Sequence, residues 1–163
     1  MALRPVSQES YTGCFIACTA MLLGKTYREA FHLLHPGQDA DVMFSHGWRD
    51  PSMENTAHRL LRGLGFKTHT GKYKQFRTYR ERSSKHSIMI IRWAHSRDMC
   101  HCIMFDAEEK CFIDPSGGYR VEGEKELRRL QRQLECSIVI DKIPKLETKF
   151  DIRRSIDPFG LAW

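Results

Sequence analysis

No run of apolar residues in this 163-residue chain approaches the ~18 that a helix needs to cross a bilayer. There is no internal repeat and no low-complexity tract. Residues 1–10 carry no apolar centre of the sort that marks a secretory leader, so a cytoplasmic protein is expected, or one passed to another cell by a leaderless route. The six cysteines (Cys14, Cys18, Cys100, Cys102, Cys111, Cys136) contain no Cys-x-x-Cys pair, which argues against a four-ligand zinc site. With no leader, free thiols are expected rather than disulfides. No metal and no cofactor is expected. What is present is ordinary: 41% hydrophobic and 28% charged residues, enough for one globular domain with a sizeable core. That domain is expected over 1–142, followed by a tail, 143–163, that no pattern places. The formal net charge of +6 favours encounter with acidic surfaces or nucleic acid but specifies neither fold nor activity.

The stretch 8–23 stands apart from the rest. A polar, turn-prone lead-in ends at Gly13, and from Cys14 onward nearly every residue is apolar or small. This predicts a loop opening straight into a buried helix, 14–23, stopped by Gly24. Thr26 is placed to cap a second helix, 27–34, with Ala30, Phe31 and Leu34 buried, ended by His35-Pro36-Gly37. Residues 37–51 read as a loop carrying Trp48. Ser52 opens a third helix in which Ala57, Leu60, Leu61 and Leu64 recur at helical spacing. Then the period changes. Phe66–His69 suggests a short strand, and the runs 87–93, 101–105 and 110–114 are of strand length, the last two joined by a turn at 106–109. A charged helix is expected over 124–134, with Leu127, Leu130 and Leu134 on one face, and a closing strand over 136–141. The resulting expectation is an α+β fold: N-terminal helices packed on a C-terminal antiparallel sheet, with a cleft between them.

Cys14 in the first turn of a helix meets unpaired backbone N–H groups and the positive end of the helix dipole, both of which favour thiolate over thiol. A thiolate becomes a useful nucleophile when an imidazole can take and return its proton. His101 begins a strand, where its side chain is rigidly aimed. Asp114 ends the next strand of the same hairpin and is placed to orient the ring. Gln8, six residues before Cys14, is a candidate oxyanion donor beside the Cys14 N–H. Cys18, one turn deeper, reads as core. Strand alternation turns His101 away from Cys100 and Cys102, which argues against a Cys-His-Cys metal site.

These residues resemble the bacteriocin-processing, C39-type papain-like cysteine peptidases. Gln8, then Cys14-Phe15-Ile16-Ala17-Cys18-Thr19-Ala20-Met21, is similar to that family's active-site opening of a glutamine followed by Cys-Gly-x-Ala-Cys-x-x-Met. His101-Cys102-Ile103-Met104-Phe105, with Phe112-Ile113-Asp114-Pro115 and Gly117, is similar to its histidine strand and Asp-Pro-x-x-Gly segment. The likeness spans roughly residues 5–142. It implies a papain-like fold and thiol hydrolysis of peptide bonds, with Cys14 as nucleophile, His101 as base, Asp114 as orienting group and Gln8 as oxyanion donor. Phe15 stands where the family has glycine, and the membrane and ATP-binding segments that accompany this domain in exporters are absent.

Two other readings are weighed beside peptide cleavage. The same thiol chemistry would serve a glutamine deamidase acting on a protein partner. From another class comes an inactive basic module that binds nucleic acid or an acidic protein through Lys72–Arg82, where bases alternate with aromatics. A solvated helix with Tyr73, Phe76 and Tyr79 turned inward is the favoured reading of that stretch.

Overall fold

The structure is a computed structural model that describes residues 1–10, 13–38, 53–92, 100–121, 125, 126, 128 and 134–146. The expected loop around Trp48, most of the expected helix 124–134 with Leu127 and Leu130, and the tail from 147 onward lie outside the described residues. Of that helix, 125, 126 and 128 are described and helical, whereas Leu134, expected on its apolar face, instead begins a strand.

Helix α1 (Cys14–Leu23) begins after Gly13 and ends at Gly24, whose φ of 62° supplies the left-handed C-cap. Thr26 caps α2 (Tyr27–Leu34) in a reciprocal box with Glu29. Helix α3 (Met53–Gly63) buries Ala57 and Leu61, with Leu64 just beyond its end. Strand β1 (Lys67–Thr70) follows, one residue later than expected. Helix α4 (Phe76–Arg82) then precedes β2 (Ser87–Arg92), β3 (Cys100–Asp106), β4 (Cys111–Asp114), β5 (Tyr119–Val121) and β6 (Leu134–Lys142). Among the described residues no helix is long and apolar enough to cross a membrane.

The six strands form one antiparallel sheet in the order β1-β6-β2-β3-β4-β5. The α+β class is as expected, but the arrangement differs in three ways. β6 lies inside the sheet between β1 and β2 rather than closing it, and β5 was not anticipated: three residues with no apolar run leave little trace. Nor do all helices cover one face. On the first face Ile88, Ile90, Cys102, Met104, Ile113, Ile138 and Ile140 form one core with residues of α1, α2 and α3. On the second, Met89, Ile91, Ile103, Phe105, Phe112, Val121 and Val139 pack with Phe76 and Tyr79 of α4. Alternate residues of each strand feed alternate cores, as the pleat requires. Burial on both faces explains why β2 and β3 read as continuous apolar runs rather than alternating ones.

Residues 3–8 are laid along the β3–β4–β5 hairpins. The Leu3 N–H donates to Asp106 Oδ2 at 2.8 Å, Arg120 donates to the Leu3 carbonyl at 3.0 Å, and the Gln8 N–H donates to the Pro115 carbonyl at 2.8 Å. Asp106, fully buried, also accepts the N–H groups of Glu108 and Glu109 and so closes the turn between β3 and β4. Residues 143–146, assigned by sequence to a separate tail, begin by packing on the first core through Ile143 and Leu146.

Candidate active site

Gly13 delivers the chain to Cys14 under a tight steric constraint. A Cβ on Gly13 would lie 1.9 Å from the Tyr27 hydroxyl and 2.8 Å from Ser10 Oγ. Tyr27 and Ser10 are themselves hydrogen-bonded at 3.2 Å. The loop is thereby held against the start of α2, and Cys14 becomes the first residue of α1, with the Gly13 carbonyl accepting the Ala17 N–H at 3.0 Å. A first-turn position leaves the Cys14 N–H without a partner inside the helix.

Cys14, His101 and Asp114 are all buried, at 4%, 6% and 7% exposure. His101 Nε2–H donates to Asp114 Oδ1 at 2.9 Å. The same carboxylate oxygen accepts the Ser116 N–H at 2.9 Å, which fixes its orientation. The bond to Asp114 selects the tautomer with the proton on Nε2, so Nδ1 is the nitrogen left as a base. Cys14 and His101 act directly on one another, each moving the other toward its charged form. Three of the four residues singled out by sequence are therefore brought together.

Strand alternation and sheet end together account for this convergence. His101 pairs with Ile91, and both belong to the second face, whereas Cys14 packs in the first core. They meet because His101 lies at the start of β3, near the end of the sheet, where α1 begins.

The electrostatics favour an ion pair. The Cys14 thiol is pulled well below its ordinary range chiefly by a hydrogen bond from the Cys102 thiol. Burial opposes this, and His101 and the Cys102 N–H add to it. Burial alone would depress His101, but its bonds to Asp114 and Cys14 and their charges lift it to about 9. Burial would raise the Asp114 carboxyl, yet the His101 bond and the Ser116 N–H hold it below the usual carboxylate value. The three shifts all run the same way, toward thiolate, imidazolium and carboxylate.

Cys102 was missed as a member of this site. The alternation that separated it from His101 also turns it toward α1, and that was the available signal. Its own thiol is pushed well up, first by the bond it makes to Cys14 and then by burial, so it stays protonated and donates. Cys18, fully buried and raised by burial, is core. Gln8 is tied to the Asp114–Pro115 corner through its backbone, while its Nε2 donates to the Ser10 carbonyl at 2.9 Å.

The aromatics of Lys72–Arg82 are largely spent on the second core. Phe76 stacks edge-on with Phe112 at 5.1 Å, and Tyr79 with Phe105 at 6.0 Å. Arg77, Arg80 and Arg82 face outward. A row of rings for base stacking is not offered there. Among the described residues no group of three His, Cys, Asp or Glu side chains is arranged to hold a metal ion. No family model matches the sequence, and no curated protein matches it at a significant level.

Proposed function

We propose that this protein is a thiol hydrolase of papain-like arrangement that cleaves an amide bond in a peptide or protein. The observation that carries the reading is the buried grouping of Cys14 at a helix start with His101, which is bonded to Asp114 and shifts with the thiol toward an ion pair. Cys14 thiolate attacks the carbonyl carbon, forming a C–S bond. The oxyanion is met by the Cys14 N–H and by the Gln8 amide, which exchanges its bond to Ser10 for one to the substrate. His101 imidazolium gives its proton to the departing amine as the C–N bond breaks. Water, deprotonated by the same ring, then releases the thioester. Asp114 keeps the ring in the one tautomer and angle that can do both transfers. Phe15 beside the nucleophile and Cys102 beneath it make this a narrower surround than a glycine there would.

The test uses a panel of peptides and candidate protein partners incubated with the intact protein and with Cys14→Ala, followed by intact mass. Fragments that appear only with the unmodified protein support peptide cleavage. A gain of about one dalton without fragments assigns the same triad to deamidation. Neither change, together with equal iodoacetamide labelling of all six thiols near neutral pH, removes the hydrolase reading.

A further inference from the structure

We propose that Cys14 and Cys102 form an oxidisable dithiol, in which a hydroperoxide converts Cys14 to a sulfenic acid and Cys102 closes on it to a disulfide. Two features of the fold bring the two side chains into one place. Alternation along β3 turns Cys102 to the face covered by α1, and both residues sit in the same core, at 4% and 0% exposure. Helix α1 packs directly on β3, both side chains are free thiols, and each is the largest single influence on the other's protonation. Cys18 is the rival partner, but helical geometry holds residues four apart at about 5–6 Å between Cβ atoms. A disulfide needs about 3.5–4.5 Å. Cys100, Cys111 and Cys136 are partly exposed, and none of them bonds to Cys14.

The steps balance. Cys14 thiolate attacks the O–O bond of the hydroperoxide, an S–O bond forms, and the leaving hydroxide or alkoxide takes a proton from His101 imidazolium. Cys102 sulfur then attacks Cys14 sulfur, the S–S bond forms, the S–O bond breaks, and the departing oxygen leaves as water with the Cys102 proton. Two thiols lose two electrons in total, and the peroxide gains them. A buried second thiol in contact with the first intercepts the sulfenic acid before a second peroxide can carry it to the irreversible sulfinic acid. Only the consequence for hydrolysis, a reversible loss because no sulfur is free to form the thioester, rests on the function proposed above; the disulfide itself does not.

The experiment treats the full chain with one equivalent of hydrogen peroxide, measures intact mass without reductant, and maps cross-linked peptides. The expected result is a loss of about two daltons, a cross-link joining the Cys14 and Cys102 peptides, and recovery with dithiothreitol. Cys18→Ser should leave the cross-link in place, whereas Cys102→Ser should abolish it, and a second equivalent of peroxide should then carry Cys14 on to the sulfinic acid. A cross-link to any other cysteine overturns the proposal, as does oxygen addition in the unmodified chain without a cross-link. Because the unmodified chain alone decides between these results, a poorly folding Cys102 variant does not weaken the test. The two proposals separate cleanly: a mapped Cys14–Cys102 bond in a protein that cleaves nothing spares the dithiol and sinks the hydrolase. Cleavage by a protein whose Cys14 goes straight to sulfinic acid does the reverse.

Discussion

The two faces of the sheet have been given different work. The first face holds Cys14, Cys18 and Cys102 in a large core of aliphatic residues with Phe15, Tyr27, Phe31 and Phe66 among them, and Cys100 and Cys136 at its margin. The second has no cysteine and is built on rings: Phe76, Tyr79, Phe105 and Phe112 pack at centroid separations of 5.1–6.0 Å. Tyr79 also hydrogen-bonds Ser137 on β6, tying α4 to the middle of the sheet. Three thiols lie where α1 meets the sheet, and a set of contacting rings fills the opposite side. Strand alternation groups His101 with Ile91 and Ile103, yet the ring acts on a thiol that belongs to the first core. On the proposed function, the thiol and the ring cluster can be altered one at a time by mutation.

The sharpest way to break that separation is Cys14→Ala. On the proposed mechanism kcat/KM falls by at least about 10³-fold, while stability in denaturant titration changes by less than about 1 kcal/mol. A large stability loss would mean the Cys14 side chain is itself structural. Phe112→Ala attacks the other side. It removes a ring in contact with both Phe76 and Phe105, and unfolding should become easier by about 3–5 kcal/mol. The iodoacetamide rate of Cys14 in the still-folded fraction should stay unchanged, and a changed rate would show the two faces to be coupled.

Asp114→Asn tests the crossing itself. His101, held at about 9 against an ordinary 6.5, is charged through neutral pH, so hydrolysis should persist there and fall as pH rises through about 9. The linkage has the same sign: a raised imidazole stabilises the fold fully below about 6.5 and loses that contribution as pH passes about 9. Replacing the carboxylate removes a cause of the rise. The alkaline limb should move down, with a rate loss of about 10²-fold at neutral pH, read from a pH–rate profile. An unmoved limb would discount Asp114. The smallest effect is expected on the wet side of α4, where Arg77 and Glu81 pair at 2.7 Å in the open. Arg77→Ala should change stability by no more than about 0.5 kcal/mol in chemical denaturation.

Much of the first face was legible because its signals are local. Gly13 and Gly24 bracket α1, Thr26 announces α2, and the apolar runs of β3 and β4 with a polar turn between them declare a hairpin. His101 and Asp114 followed from that hairpin, since pairing Met104 with Ile113 fixes how far apart their strand ends lie. What was not legible is non-local. Nothing in Leu134–Lys142 says that it will insert between β1 and β2 rather than lie at an edge. Nothing in α4 says which face it will cover. Cys102 escaped for a subtler reason: alternation was used to separate it from His101, without asking what a side chain on its own face would find there.

The strap formed by residues 3–8 bears on how such a site survives thermal motion. It is fastened to Asp106 and Arg120 near one end of the β3–β4–β5 hairpins and to Pro115 at the other, beside the ring and carboxylate those strands present. Nucleophile and base, far apart along the chain, are therefore gauged against a single piece of sheet. When that piece breathes or tilts, both travel with it, and their separation is disturbed far less than the position of either.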